Sequence, residues 1–304
     1  MEYVLKTNAL SKSYGDFHAL SRLDMSVPKG SIYGFVGKNG AGKTTLMRLI
    51  CGLQEPTGGS YTLYGKQSGS SDIALARKRM GAVVETPSIY LDMTAKDNII
   101  QQYRVLGMPS DKGADELLEL VGLHDTGKKK ARNFSLGMRQ RLGIAVALAG
   151  NPDLLVLDEP INGLDPQGII EVRELILKLN REKGITVIIS SHILDELSRL
   201  ATHYGFIDGG CMVREMSADE LERASRKSVH IKVSDAKALV LVLDDMGADY
   251  KLVSETEADI YADVEVTPLV LRLHDKGCTV FTMTEQDESL EGFFMELVGG
   301  AENE

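Results

Sequence analysis

Residues Gly37 to Thr44 read Gly-Lys-Asn-Gly-Ala-Gly-Lys-Thr and restrict the fold more than any other part of the sequence. This is the pattern G-x-x-x-x-G-K-[ST], in which glycines let the backbone wrap around a phosphate group. The apolar run Ile32 to Val36 precedes it, and a helix is predicted from Thr44 to Leu53. Backbone N–H groups and the helix N-terminus supply partial positive charge. Strand, loop and helix in this order predict a phosphate-binding site.

Within this loop we expect Lys43 to reach the terminal phosphates and Thr44 to ligate Mg²⁺ through its hydroxyl. The other residues contribute mainly backbone N–H groups. The predicted phosphate-binding residues are Gly37, Lys38, Asn39, Gly40, Ala41, Gly42, Lys43, Thr44 and Thr45. A glycine-rich turn that only precedes a helix is the alternative, and the acidic strand end described next argues against it.

Two carboxylates, Asp158 and Glu159, follow the apolar run Leu154 to Leu157. Asp158 can hold Mg²⁺ through its water shell, while Glu159 can accept a proton from an attacking water. Adjacent acids at a strand end repel each other unless a cation lies between or beside them. The alternative is that the pair only caps the helix beyond Pro160. Together with the phosphate loop, the two acids predict phosphoryl transfer to water.

Short apolar runs without alternation predict strands that are covered on both faces, as in parallel sheets. Ile185 to Ile189 is such a run, and it follows a predicted helix from Pro166 to Asn180 that Gly184 ends. Strand, helix and strand in this order predict a βαβ crossover. Residues from about Asp97 to Ala149 are mostly helical in pattern. We therefore predict an α/β core with a helical subdomain at about 86–150.

The pattern changes after a polar helix at Ala218 to Ser225. Predicted elements then follow in the order β-α-β-β-α-β, which is that of a ferredoxin-like unit. They are strands at Val229 to Val233, Tyr250 to Val253, Ile260 to Val264 and Cys278 to Met283, with helices at Ala236 to Met246 and Pro268 to His274. We predict a first domain at 1–215 and a small α+β accessory domain at 216–304.

The chain closes with an apolar stripe at helical spacing, made of Leu290, Phe293, Phe294, Leu297 and Val298. Such a stripe can pack on its own domain or dock on a partner. Packing on its own domain is the more common outcome for an amphipathic helix, so we favour it.

Charge and composition exclude several classes of protein. Residues 226–304 hold 17 acidic and 7 basic side chains, against 27 and 27 in the rest, so they account for the whole net charge of -10. This balance argues against a nucleic-acid partner. No apolar stretch approaches the roughly 18 residues of a membrane-spanning helix, and the absence of an export signal predicts a cytoplasmic protein. Cys51, Cys211 and Cys278 are odd in number and far apart, which predicts reduced structural thiols.

Five elements, in this order and spacing, resemble the ATP-binding subunit of an ATP-binding cassette (ABC) transporter over roughly residues 1–215. Besides the phosphate loop and the acidic strand, Asn133 to Gln140 lies where the family has its signature, usually Leu-Ser-Gly-Gly-Gln. Asn162-Gly163-Leu164-Asp165 lies at the distance of the family's D-loop, and Ser190-Ser191-His192 ends the next strand as its switch histidine does. The resemblance implies a P-loop ATPase with a RecA-like parallel sheet core, a helical subdomain, and ATP and Mg²⁺ as cofactors.

The resemblance also implies that two cassettes close head to tail on two ATP molecules. Contacts to the ATP of the partner chain are implied for Ser135, Leu136, Gly137 and Met138. His192 is implied to contact the γ-phosphate within its own chain, and Asp165 to lie at the dimer seam, with a helix N-cap as its alternative. Tyr14 resembles the aromatic residue that stacks on adenine, with a partly buried loop residue as its alternative.

Two positions depart from the family's pattern. Glu85 stands where the family usually has a Gln that touches Mg²⁺ and the attacking water, and its carboxylate adds negative charge close to Glu159. In the signature, Leu136 and Met138 replace the usual Gly and Gln. With the acidic C-terminal extension, these departures resemble the cassettes of bacterial peptide-antibiotic (bacitracin-type) and lantibiotic exporters or resistance transporters.

The resemblance implies partners as well. Integral-membrane subunits would carry out the transport and contact Glu85 and the segment from Pro87 to Asp97. The chain would pair as a homodimer or heterodimer of ATP-binding subunits, at the inner face of the cell membrane. A ribosome-associated or DNA-repair ATPase is the alternative, although those relatives usually carry two cassettes and basic surfaces. Glu159 and His192 disfavour a module that only binds ATP, and the sequence has no Asn-Lys-x-Asp motif of a GTPase.

Overall fold

The computed structural model of the chain describes residues 2–108, 111–224, 227–261, 265–287, 292–295 and 297. Contacts within the chain divide it into two compact units, Met1–Ala218 and Asp219–Glu304. Each unit is built around its own sheets and its own apolar core. Among the described residues, every helix is too short or too polar to cross a bilayer.

The first unit combines two sheets with seven described helices. In chain order its strands are β1 (Tyr3–Tyr14), β2 (Phe17–Pro28), β3 (Ile32–Val36), β4 (Gly58–Leu63), β5 (Lys66–Gln67), β6 (Met80–Val83), β7 (Leu154–Asp158), β8 (Thr186–Ser191), β9 (His203–Asp208) and β10 (Cys211–Ser217). Its helices are α1 (Lys43–Ile50), α2 (Ile73–Arg77), α3 (Ala95–Val105), α4 (Ala114–Leu120), α5 (Leu136–Leu148), α6 (Pro166–Lys183) and α7 (Leu194–Ser198).

The larger sheet of this unit has the strand order β10-β9-β3-β8-β7-β6. All neighbours are parallel except β9 and β10. Every residue of β3, β7 and β8 is buried, as their unbroken apolar runs predict. The predicted crossover joins β7 to β8 through α6, which ends where Gly184 adopts a left-handed φ of 65°. Because these strands are parallel, their carboxyl ends and the loops that follow them lie at one edge of the sheet.

The smaller sheet is antiparallel, with the order β2-β1-β4-β5. Its inner face shares one apolar cluster with β3 and α1, formed by residues such as Leu10, Leu23, Phe35 and Leu46. Helix α1 is therefore fixed between the two sheets. It ends at Ile50 rather than at the predicted Leu53, because Gly52 takes a left-handed φ of 75° and stops the helix.

Helices α3, α4 and α5 lie between β6 and β7 in the chain, where the sequence predicts a helical subdomain. Helix α3 begins with a capping box in which Thr94 and Asp97 satisfy each other's backbone N–H groups. Ile99 and Tyr103 form its buried face. Helix α5 begins directly after Ser135, so the subdomain presents the start of this helix at its surface.

The second unit forms one antiparallel sheet with the order β12-β13-β11-β14. After α8 (Ala218–Ala224), its elements are β11 (Lys227–Val233), α9 (Ala236–Met246), β12 (Tyr250–Leu252), β13 (Glu257–Ile260), α10 (Val266–Asp275) and β14 (Val280–Asp287). The order β-α-β-β-α-β and the sheet order are those of a ferredoxin-like unit. Its core contains Ile231 and Ile260 from the sheet, with Leu239 and Leu273 from the helices.

Strands β11 and β12 differ from their predicted bounds by one or two residues at one end, and β13 and β14 differ more. Strand β13 ends at Ile260 instead of beginning there, because Ala258 and Ile260 alternate towards the core opposite β11. Strand β14 begins after Cys278, whose N–H donates to the carbonyl of Leu273 and so belongs to the end of α10. Residues 262–264, predicted as strand, and residue 225, predicted as helix, lie outside the described residues.

The closing apolar stripe is described only in part. Phe293 and Phe294 are buried, which agrees with packing inside the protein rather than an open docking face. Leu290 and Val298 lie outside the described residues.

Candidate functional site

The loop between β3 and α1 is shaped by close contacts at its glycines. A Cβ atom on Gly42 would lie 2.5 Å from the carbonyl oxygen of Ala19, and this residue has a left-handed φ of 108°. A Cβ atom on Gly37 would lie 2.6 Å from the carbonyl oxygen of Ile207. Helix α1 has no side-chain cap at Gly42, so the N–H groups of its first turn remain available to an anion. At Gly37 and Gly42 the loop therefore lies too close to neighbouring backbone for a side chain.

Lys43 is buried within this loop and points towards the acidic strand end. Its Nζ donates to the carbonyl oxygens of Gly37 at 2.6 Å and Lys38 at 3.3 Å. The same Nζ lies 3.3 Å from Oε1 of Glu159. The structure thus brings together the cation and the carboxylate that the sequence assigns to the site from positions more than 100 residues apart.

Glu159 directly follows β7 and is held by two neighbouring strands. Its backbone has a left-handed φ of 48°, and its N–H donates to the carbonyl and to Oγ of Ser190, at 3.2 and 2.9 Å. Its Oε2 lies 2.7 Å from Nδ1 of His192. A left-handed backbone at a non-glycine residue costs energy and is common where a side chain must be aimed at a reaction site. Glu159 is therefore placed between Lys43 and His192.

Asp158 lies beneath this pair and is only 2% exposed. Its Oδ1 accepts a hydrogen bond of 2.6 Å from Oγ of Ser190. Buried carboxylates need such partners, and within the described part of the chain the second oxygen of Asp158 stays available. Ser190 thus supports both acids, a role that the sequence did not reveal.

A cavity of about 300 Å³ opens between the phosphate loop, the end of β7 and the end of β8. It is lined by Phe17, Ala19, Asn39, Gly40, Gly42, Lys43, Thr44, Thr45, Glu159, Asn162 and His192. Most of the predicted phosphate loop, together with Glu159 and His192, therefore shares one cavity. The lining adds Phe17 and Ala19, which belong to no motif with fixed spacing, and Asn162, the first residue of the D-loop segment.

The aromatic residue at the cavity is Phe17, at the start of β2. Its side chain is 62% exposed. Tyr14, at the end of β1, does not line the cavity; its hydroxyl donates to Gln54, and Nζ of Lys12 lies 5.2 Å from its ring centre. The two aromatic residues flank the turn of one hairpin, so the predicted adenine contact falls three residues from the ring that faces the cavity.

Glu85 lies outside the lining of the cavity, two residues after β6. Its carboxylate forms an ion pair with the guanidinium of Arg48 on α1. Like Glu159, it has a left-handed backbone, with a φ of 65°. The structure therefore places Glu85 against α1.

The signature and D-loop segments each provide the N-cap of a helix. Oγ of Ser135 caps α5 by accepting from the N–H of Met138 at 3.2 Å, and Oδ1 of Asp165 caps α6 by accepting from the N–H of Gly168 at 3.3 Å. Leu136 is half exposed and Gly137 is buried. None of the signature residues 135–138 is among those that line the cavity of their own chain. Asp165 has the N-cap contact that was its alternative role.

The oxygen donors at the cavity fit a hard divalent cation shared with phosphate groups. Thr44 offers a hydroxyl at the lining, and Asp158 offers a carboxylate beneath it. Among the described residues, no three His, Cys, Asp or Glu side chains cluster closely enough to hold a metal ion alone. Mg²⁺ suits such a site, because it is usually bound through one or two protein oxygens, substrate phosphates and water.

Comparison with known proteins agrees with this geometry. The sequence pattern of the ABC transporter family matches residues 20–162. The bacitracin transport ATP-binding protein BcrA of Bacillus licheniformis is 40% identical over 303 residues, covering 99% of this chain and 99% of that protein. The lantibiotic transport ATP-binding protein SrtF of Streptococcus pyogenes is 42% identical over 219 residues, which cover 72% of this chain and 93% of that protein.

Solved structures give the same result for the fold. The dimeric ATP-binding cassette MJ0796 bound to ADP and Pi superimposes with a TM-score of 0.63 and is 25% identical, covering 70% of this chain and 98% of that chain. The family predicted from the five sequence elements is thus confirmed. The chain belongs to the ABC transporter family, as an ATP-binding subunit with ATPase activity.

Proposed function

We propose that this chain powers the export of a peptide antibiotic, or resistance to one, through separate integral-membrane subunits. The observation that carries the proposal is the joint placement of Lys43, Glu159 and His192 at one cavity of about 300 Å³ beside the glycine-rich loop. The class of cargo rests on the full-length similarity to the bacitracin transport protein and on the similarity to the lantibiotic transport protein. The chain would act as a peripheral subunit at the cytoplasmic face of the membrane.

For hydrolysis, we assign the chemistry to residues that touch the cavity. The loop from Gly37 to Thr45 binds the phosphates, with Lys43 on the terminal ones. Glu159 accepts a proton from the attacking water, and His192, in contact with Glu159, orients this carboxylate and the γ-phosphate. Mg²⁺, held by Thr44, Asp158 and, through its carboxylate, Glu85, would neutralise charge on the phosphate oxygens.

For the adenine base of ATP and for the partner chain, we assign roles to residues by their position. Phe17 offers a ring to adenine at the cavity, and Tyr14 stands beside it on the same hairpin. A flat ring stacks on any base, so discrimination among nucleotides should be modest. The start of α5, at residues 135–138, faces the ATP of a second cassette in a head-to-tail homodimer or heterodimer, with Asp165 at the seam. The helix N-terminus there favours an anion.

The role in resistance can be tested in cells that carry the gene. We expect Glu159→Gln to lower the inhibitory concentration of bacitracin, of a lantibiotic or of both to that of a deletion strain, because transport would stop. Glu174→Gln is the matched control, since Glu174 is an exposed residue of α6 away from the cavity. Unchanged resistance to both antibiotic classes in the deletion strain would refute the proposed cargo.

The dimer can be tested on the purified full-length chain. With Mg-ATP, the Glu159→Gln chain should sediment as a dimer, and with Mg-ADP as a monomer, because only the γ-phosphate reaches the partner's signature. If it stayed monomeric with Mg-ATP, both alone and with co-purified membrane subunits, the shared-ATP arrangement would be wrong. Recovery of RNA instead of membrane subunits would favour the alternative, a cassette acting on the ribosome.

A further inference from the structure

Helix α1 presents one narrow polar stripe at its surface. Thr44, Thr45 and Arg48 are its partly exposed residues, and the other five residues of the helix are buried. Thr44 and Arg48 are four residues apart, so their side chains lie on the same face, about 6 Å apart along the axis. The stripe therefore runs from the proposed Mg²⁺ ligand to an arginine one turn further along the helix.

Arg48 is occupied by a carboxylate from another part of the chain. Its guanidinium forms an ion pair with Glu85, 37 residues away in sequence. The side chains are 36% and 49% exposed, so the pair lies at the surface and not in the core. Glu85 has a left-handed backbone, which costs energy at a non-glycine residue. This backbone and the ion pair together fix the carboxylate against the face of α1 that carries Thr44.

Charge explains why such a partner is needed. In the proposed Mg²⁺ site, a carboxylate at position 85 would add a negative charge near the polyphosphate, which a neutral amide would not do. The other two acids of the site have donors of their own, since Glu159 contacts Lys43 and Asp158 accepts from Ser190. Arg48 supplies the corresponding partner for Glu85.

We propose that Arg48 is a positioning residue for Glu85, which holds its carboxylate on the Thr44 face of α1 and offsets its charge. The inference rests on the role of Glu85 given under the proposed function. Arg48 itself does not line the cavity. It acts on the reaction through Glu85 alone, and this separates it from a residue that only stabilises the fold.

The test is a double-mutant cycle on the purified full-length chain. ATPase rate, KM for ATP and the Mg²⁺ concentration for half-maximal rate are measured for the natural chain, Arg48→Gln, Glu85→Gln and the double variant. We expect Arg48→Gln to lower the rate or raise the Mg²⁺ requirement by about fivefold, as expected for one partly exposed ion pair. In the Glu85→Gln background, the same change should have no effect, because an amide needs no counter-charge.

Two controls separate positioning from folding. Arg48→Lys keeps the charge and should retain most of the activity. Arg79→Gln breaks another exposed ion pair, the one between Arg79 and Asp153. The two side chains are 50% and 56% exposed and do not line the cavity. Arg79→Gln should leave ATPase activity and Mg²⁺ dependence unchanged. Thermal melting of each variant checks that the fold is intact.

The outcomes distinguish the inference from the function on which it rests. Equal losses from Arg48→Gln in both backgrounds would overturn the role of Arg48 and leave that of Glu85 intact. Natural rate and Mg²⁺ dependence in both Glu85→Gln and Arg48→Gln would overturn both roles. Loss in Arg48→Gln that Glu85→Gln suppresses supports the inference.

Discussion

Replacing Glu159 by Gln should change the rate and the affinity of the ATPase in opposite directions. A positioned general base contributes roughly 10²- to 10⁴-fold to a rate, so kcat should fall by about that factor. The affinity for nucleotide should rise, because Glu159 of the natural chain competes with the nucleotide phosphates for Lys43. The two groups are 3.3 Å apart, and their side chains are 6% and 19% exposed. An amide of the same size keeps the packing and removes the competitor.

The size of the affinity change follows from this contact. At an effective dielectric constant of about 20, unit charges at this distance attract by about 5 kcal/mol. Most of that attraction is offset by desolvation, and hydrogen bonds to charged groups have a net value of roughly 1.5–3 kcal/mol. At about 1.4 kcal/mol per factor of ten, nucleotide should bind roughly 10- to 100-fold more tightly at most.

Calorimetric titration of the full-length chain with Mg-ATP and with Mg-ADP measures this change. Tighter binding of both nucleotides would come from Lys43, whereas tighter binding of ATP alone would come from dimer closure. A phosphate-release assay gives kcat, with Glu174→Gln as the matched control. A kcat within tenfold of the natural chain would refute the role of Glu159 as base. Weaker ADP binding in a folded variant would refute the competition for Lys43.

Phe17→Ala should weaken ATP binding by roughly 5- to 100-fold, the range for one lost ring–base stack of about 1–3 kcal/mol. Tyr14→Ala should weaken ATP binding less. Equilibrium binding measurements would show the reverse order if Tyr14 were the ring that stacks on adenine. At pH 8 a thiol reagent should modify exposed Cys211 quickly and Cys51 slowly, because burial raises the pKa of the Cys51 thiol to about 12. Mass spectrometry of timed samples measures both rates, and equal rates would contradict this prediction. Leu239→Ala should destabilise the second unit by about 2–5 kcal/mol, because its side chain is fully buried; calorimetry should show one of two transitions shifting, and a single shared transition would argue against independent units.

The parts of the site that could be predicted from the sequence are those whose geometry is fixed locally. The phosphate loop is one continuous segment in which Gly37 and Gly42 are needed by close backbone contacts and Gly40 by its left-handed φ of 84°, so its pattern is recognisable without the rest of the fold. The buried strand before Asp158 is equally clear, because a strand covered on both faces tolerates few polar residues. These two segments already identify Lys43 as the phosphate-binding cation, Glu159 as the general base, and the edge of the sheet where the two residues meet.

The parts that were missed depend on contacts between distant segments. Phe17 reaches the cavity because β1 and β2 form a hairpin, and a single aromatic residue in a partly polar strand carries no spacing signal. Ser190 supports two acids on the neighbouring strand, a relation that appears only when β7 and β8 are paired. Arg48 resembles any exposed residue of a helix until the fold brings Glu85 to it.

The left-handed backbone of Glu159 has a consequence for how this gene can evolve. Such a conformation costs about 1–2 kcal/mol at a residue with a side chain and almost nothing at glycine. Glycine at this position would remove the backbone cost, but it would also remove the carboxylate that contacts Lys43 and His192 and serves as the proposed general base. Substitutions that relax this backbone should therefore be lost wherever the cell needs ATP hydrolysis by this chain.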